Sequence, residues 1–197
     1  YRIEVSGEDN LYDLSLIDFD VLKKRFEKGD KKRTEVEILK NELKRKIAHL
    51  SKVNKTRMDY LEKLNEMIAE YNLGAQSVEE IFQRLIELAQ QLKKEEKRYI
   101  KEELSNEKEL AIFDLLTKPD PELTDRQMKE VKAVARNLYN KLAEGMLVLD
   151  WRNKQETKSR VKVAIKQELD VGLPEVYDTD LFNRKWSSVY DYVWETM

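Results

Sequence analysis

The chain has 197 residues, with 37 Lys and Arg against 39 Asp and Glu, 41% hydrophobic and 39% charged side chains, and no Cys. This length can bury a core as one domain or as two small helical lobes, and the net charge of −2 argues against a free-standing, high-affinity polyanion binder without excluding local fields. The lack of Cys excludes disulfides, thiolate metal sites and cysteine nucleophiles. No run approaches the roughly 20 apolar residues of a membrane span, and no signal-peptide pattern opens the chain, so the expected compartment is the cytoplasm with no membrane partner.

In chain order, the first 22 residues hold six acids and one Arg, and YRIEV reads as a short strand or an unravelled end. We take 1–17 as a leading segment or linker, 18–104 as an N-terminal helical bundle and 105–197 as a C-terminal helical lobe, packed as one overall domain. FDVLKKRFEKG predicts a short helix stopping near Gly29. Val36, Leu39, Leu43, Ile47 and Leu50 step by three or four, and so do Met58, Leu61, Leu64, Ile68 and Tyr71, which marks one apolar face on each of two helices. YNLG offers Asn72 and Gly74 as an exit from the second. Ser77 with Glu80 forms a capping box for a helix with face Ile81, Leu85, Leu88 and Leu92, expected to run to about Glu103. Three long helices with short links predict an antiparallel bundle, since none buries its apolar stripe alone.

NEKELAIFDLLTK predicts a short helix broken at KPDPE, where Pro119 and Pro121 lack donors. Thr124 with Gln127 is a second capping box, opening a helix marked by Met128, Val131, Val134, Ala135, Leu138 and Leu142 up to Gly145. MLVLDW is a short apolar bridge, either a buried turn or a strand-like segment. The basic helix follows, then a break at VGLPE and a last helix from about Asp180 to Trp194. The fold class is therefore all-α, about seven helices in two packed lobes.

Two basic regions stand out. Residues 23–66 carry fifteen basic and eight acidic side chains, and residues 151–167 carry six basic and one acidic, whereas 168–197 has a net charge of −5. Lys44, Arg45, Lys46, Lys52, Lys55 and Arg57 are candidate contacts to DNA phosphates or to an acidic subunit, with a Glu42–Lys46 pair one helical turn apart. Arg152, Lys154, Lys158, Arg160, Lys162 and Lys166 are candidates for the same contacts. At 100° per residue Val161, Ala164, Ile165 and Leu169 share an inward arc, with Arg160 on one shoulder and Lys162 and Lys166 on the other. That pattern forms no single basic stripe and is also what solvated shoulders of a packed helix look like. Leu147, Leu149 and Trp151 are expected to lead the chain inward, and Asp150 to pair with a neighbouring Arg or cap the basic helix. In the last helix Phe182, Trp186, Val189 and Val193 form the expected core face. Tyr190 and Trp194 diverge from it, so either the helix is buried broadly or this second shoulder meets another surface, for which the aromatic set supplies anchors.

Chemistry-bearing patterns are weak. Pro119 and Asp120 followed by Glu130 and Lys132 imitates the motif of metal-dependent nucleases, but Glu130 and Lys132 point roughly 200° apart on a helix. His49 is the sole histidine and reads as a surface or boundary residue. No phosphate-cradling Gly-rich loop or serine elbow is present. We assign no catalytic residue and no metal ligand.

VNKTRMDYLEKLNEMIAEYNLG, EELSNEKELAIFDLLTKPDPELT, VKAVARNLYNKL and VLDWRNKQETKSRVKVAIKQELDVGLPEVYDTDLFNRKWSSVYDYV resemble, in that order, the C-terminal helical region of the restriction (motor) subunit of type I restriction enzymes. The resemblance runs from about Leu16 to the end, and its most characteristic part is Asp150, Trp151 and Arg152 followed by Leu173, Pro174 and Tyr177. It implies a parent polypeptide with an N-terminal metal-dependent nuclease and two ATP-driven translocase domains, working with methyltransferase and specificity subunits. ATP, Mg2+ and S-adenosylmethionine would serve that complex in restriction of unmodified DNA, with no cofactor expected in this segment. Tyr1 as first residue fits a piece of such a longer protein. The implied role here is non-catalytic docking of the motor subunit to the modification complex. An accessory, non-specific contact to duplex DNA is the alternative, and an autonomous nuclease ranks third.

Overall fold

The computed structural model describes residues 19–147 and 149–197, so the YRIEV reading and the leading segment lie outside the described residues. All regular elements among the described residues are helical: α1 (Phe19–Lys28), α2 (Lys32–Val53), α3 (Met58–Asn72), α4 (Val78–Glu95), α5 (Arg98–Lys101), α6 (Glu107–Thr117), α7 (Asp125–Gly145), α8 (Gln155–Gly172) and α9 (Thr179–Thr196). Two single 3-10 turns, Lys55–Arg57 and Trp151–Asn153, precede α3 and α8. The described residues divide into two compact units, one within 19–51 and 57–96, the other within 52–56 and 97–197.

In the first unit the alternating three- and four-residue step buries Val36, Leu39, Leu43, Ile47 and Leu50 of α2 as expected, against Phe26 of α1 and the α4 face. Phe26 and Phe82 stack with ring centroids 3.7 Å apart. Helix α3 is rotated from its expected face: Met58 is exposed, Leu64 and Met67 are buried, and Leu61, Ile68 and Tyr71 flank them half-buried. Gly74 at φ +75° closes α3, with the Ala75 N–H donating to the Glu70 carbonyl and that of Gly74 to Tyr71, so the left-handed residue falls where glycine adopts it without a Cβ penalty. The Ser77–Glu80 capping box forms in full.

The helix expected to run to Glu103 instead stops at Glu95. A continued ladder would offer the Glu95 carbonyl to the Tyr99 N–H, but that carbonyl accepts from the Arg57 guanidinium at 3.2 Å. The short α5 follows and ends with Glu103 at φ +59°, where the Leu104 N–H reaches the Tyr99 carbonyl. A left-handed Glu costs roughly 1–2 kcal/mol relative to the right-handed region. No glycine announces this exit; the break adds α5, and the described residues hold nine helices against the expected seven or so.

In the second unit α6 packs on α7 and α9, and α8 packs on α7 and α9. The core holds Leu110, Ala111, Ile112, Phe113 and Leu116 of α6, the expected Val131, Val134, Ala135, Leu138 and Leu142 of α7, and the expected Val161, Ala164, Ile165 and Leu169 of α8. The Thr124–Gln127 capping box is formed. Gly172 lies inside α8 rather than beyond it, and a Cβ there would come within 2.4 Å of Val134 Cγ2, so close packing on α7 requires this glycine.

Two buried polar clasps hold this unit. Asp114 of α6 is fully buried and accepts from Asn54 Nδ2 at 2.7 Å and from the Arg98 guanidinium, with Lys118 Nζ at 3.3 Å, which fixes residues 52–56 to α6. Tyr177 donates its hydroxyl to the Leu116 carbonyl at 3.0 Å, and burial pushes that phenol's pKa up.

Candidate functional site

The region richest in chemistry is built by α8, α9 and the turn between Asp150 and Asn153. Asp150 takes a left-handed conformation at φ +59° and its side chain makes no capping bond, so it does not cap the basic helix as expected. Its carbonyl instead accepts the Asn153 N–H at 2.9 Å, which reverses the chain and turns Trp151 inward to 3% exposure. Leu147 is half-buried, but Leu149 is 88% exposed, so only part of the apolar bridge leads into the core.

Trp151 meets Trp194 edge to face at 5.4 Å between ring centroids. Arg152 does not bond Asp150: its Nε donates to the Trp194 carbonyl at 2.6 Å, and its guanidinium lies 5.2 Å from the centroid of the Trp151 ring. That carbonyl belongs to the last turn of α9, where a helix has acceptors without intrahelical donors and a partial negative charge, so an arginine there both satisfies and neutralises it.

Along α9, Trp186 stacks on Tyr190 at 6.3 Å and Tyr190 tilts on Trp194 at 6.4 Å, a ridge set by the four-residue step. Lysines of α8 lie over it: Lys158 Nζ is 5.3 Å from the Trp194 centroid and Lys162 Nζ is 5.0 Å from that of Tyr190. As the α8 number rises the α9 number falls, so the two helices run antiparallel. Lys154, Arg160, Lys162 and Lys166 are exposed and Lys158 is half-buried.

The core face of α9 differs from the expected one. Leu181, Lys185, Val189, Tyr192 and Val193 are buried, whereas Phe182, Trp186, Tyr190 and Trp194 are half-buried against the core. The helix is turned so that the aromatic ridge lies at the edge of the packed surface. A lysine at a core position was not legible as buried, because only the fold supplies its partners: Nζ of Lys185 donates to the Lys118 carbonyl at 2.7 Å and pairs with Asp120 at 3.2 Å. Desolvation lowers the Lys185 pKa against the opposing pull of Asp120, and the hydrogen bond from Lys185 holds the Asp120 carboxyl below the usual range.

The nuclease-like residues are engaged separately. Asp120 is bound to Lys185 and to Arg184 (3.3 Å), Glu130 pairs with Arg126 at 3.0 Å, and Lys132 pairs with Glu102 at 2.7 Å. No group of three or more His, Asp or Glu side chains placed to hold a metal ion occurs among the described residues.

The N-terminal basic set is not one exposed region. Lys44, Arg45, Lys52 and Lys55 are exposed, but Lys46 is buried and paired with Glu96, and Arg57 is 2% exposed and bonded to Glu95. Glu42 accepts from Arg45 at 3.4 Å instead of pairing with Lys46, and burial raises its pKa. Lys55 pairs with Glu195. His49 is exposed.

Comparison with known proteins bears on this geometry. Residues 3–193 match the family described as type I restriction enzyme HindI endonuclease subunit-like, C-terminal. A putative type I restriction enzyme MjaIXP endonuclease subunit of Methanocaldococcus jannaschii is 27% identical over 134 residues, which is 68% of this chain and 12% of that protein. The chain thus aligns with about an eighth of its relative's length. No solved structure matches it.

Proposed function

We propose a role that starts from one premise: this chain belongs to the family of type I restriction enzyme HindI endonuclease subunit-like C-terminal domains. Its role is assembly, docking the nuclease and translocase polypeptide to the methyltransferase and specificity subunits during ATP-dependent restriction of unmodified DNA. ATP, Mg2+ and S-adenosylmethionine belong, in this reading, to the other parts of the complex.

The observation that carries the proposal is the family matched, one described as C-terminal and covering residues 3–193 of this chain, together with a 134-residue alignment that spans 12% of an endonuclease subunit. A terminal helical module of that kind contributes surface rather than a reaction centre. The rim of α9 supports the reading, because Phe182, Trp186 and Tyr190 remain half-exposed on a rigid helix. Aromatic side chains on a rigid element lose little entropy on binding and fill pockets well.

The test is capture of the intact methyltransferase–specificity complex by this chain, without nucleotide or divalent ion. Retention that survives high salt and falls at least tenfold with Phe182→Ala plus Trp186→Ala, in a variant that still folds, is the expected result. No retention of the complex by the folded parent chain refutes the role.

A further inference from the structure

We propose that the α8 row Lys154, Lys158, Lys162 and Lys166, braced on the aromatic ridge of α9, is a contact surface for the phosphate backbone of duplex DNA. The inference goes beyond the docking role and stands or falls separately from it.

Four lysines spaced by four residues follow α8 from its N-cap, Lys154, over about 18 Å at 1.5 Å per residue, each step turning about 40° around the axis. One strand of a duplex presents a phosphate every ~3.4 Å of axis, so the row faces about five phosphates. Its first member, Lys154, sits at the N-terminus of α8, where the helix dipole adds to the positive field.

What separates Lys158 and Lys162 from ordinary surface lysines is how they are held. Among the described residues none of Lys154, Lys158, Lys162 and Lys166 joins an ion pair, and neither do the exposed Lys44 and Lys52, so it is the ring contacts that set these two apart. Lys158 and Lys162 lie instead over the rings of Trp194 and Tyr190. A carboxylate partner would orient an ammonium and cancel its charge. A ring face orients it through the quadrupole and leaves the full charge for another ligand. The bracing also reduces the side-chain freedom lost when a phosphate binds.

The same features favour nucleic acid over an acidic protein. Protein interfaces are depleted in lysine, whereas phosphate contacts are made by lysine and arginine from regular elements and need no matching side-chain pattern. Arg160, exposed on the opposite shoulder of the buried arc, lies outside this face.

The experiment follows binding of the full chain to a short labelled duplex of arbitrary sequence by fluorescence anisotropy over a salt series. The parent chain is expected to bind at low salt with log affinity falling linearly in log salt. The triple variant Lys158→Gln, Lys162→Gln and Lys166→Gln, which melts like the parent, should reduce that slope by about 2.7, at roughly 0.9 per lost phosphate contact. The charge-conserving Arg triple should keep it, and Tyr190→Leu should weaken binding several-fold with the slope held. Absence of binding by the parent chain, an unchanged slope in the Gln triple, or displacement by polyglutamate as effective as by unlabelled duplex at equal charge overturns the proposal. The last result would assign the row to an acidic protein.

Discussion

Replacing Trp151 by Ala removes a ring that is 3% exposed and packed edge to face on Trp194 at 5.4 Å. An indole buries about 150–250 Å², which at ~25 cal/mol per Å² is worth roughly 4–6 kcal/mol of transfer free energy, as an upper bound. Large-to-small replacement of a buried aromatic costs about 3–5 kcal/mol in practice because the cavity collapses only in part. The Trp194 edge contact adds about 0.5–1.5 kcal/mol. At ~4–5 °C per kcal/mol for a unit of this size, the melting transition of the second unit should fall by roughly 12–25 °C. Thermal melting by circular dichroism reads the shift, and Trp151→Phe should recover part of it. Loss of capture by the methyltransferase–specificity complex should appear only where the variant has melted. A variant that melts like the parent yet no longer binds would refute the core role and make Trp151 an interface anchor.

Other perturbations have equally definite outcomes. Asp114→Ala strips a fully buried carboxylate from Asn54, Arg98 and Lys118, and should cost about 3–5 kcal/mol in urea unfolding, against under ~0.5 kcal/mol for the exposed Lys44→Ala. Tyr177→Phe leaves the Leu116 carbonyl without its buried donor and should cost about 1–3 kcal/mol in the same assay. Gly172→Ala should lower the melting temperature although alanine is the better helix former, because its Cβ meets Val134; a rise would refute the packing argument. Lys185 depresses the folded Asp120 pKa, so the stabilisation is present above the unfolded value near 3.8 and is lost as pH falls through the folded one. The urea midpoint of the parent should therefore drop more steeply on acidification below that value than the midpoint of Asp120→Asn.

Local signals in the chain determined a good deal. The three-and-four step located the faces of α2, α4, α7 and α8 because amphipathic burial is a property of each helix by itself. Capping boxes at Ser77 and Thr124 set two helix starts, since the hydrogen bonds that make them join residues three apart. The ordered segments from VNKTRMDYL to VYDYV carried the family. What the tertiary structure alone decided are the features whose partners lie far along the chain. Lys46 and Arg57 read as exposed contact candidates, and nothing local marks Asp114 or Lys185 as buried, until Glu96, Glu95, Asn54 and Asp120 are brought to them; burial of a charge is stable only with such partners. The Glu95 carbonyl at the end of α4 accepts from an arginine 38 positions earlier, a partner no local signal announces. The rotation of α9 places Lys185 inward and aligns Trp186, Tyr190 and Trp194 along the edge facing α8. Only that alignment turns scattered basic residues of α8 into a row braced on rings, because the periodicity of one helix gives the azimuth of its side chains but not the identity of the surface they meet.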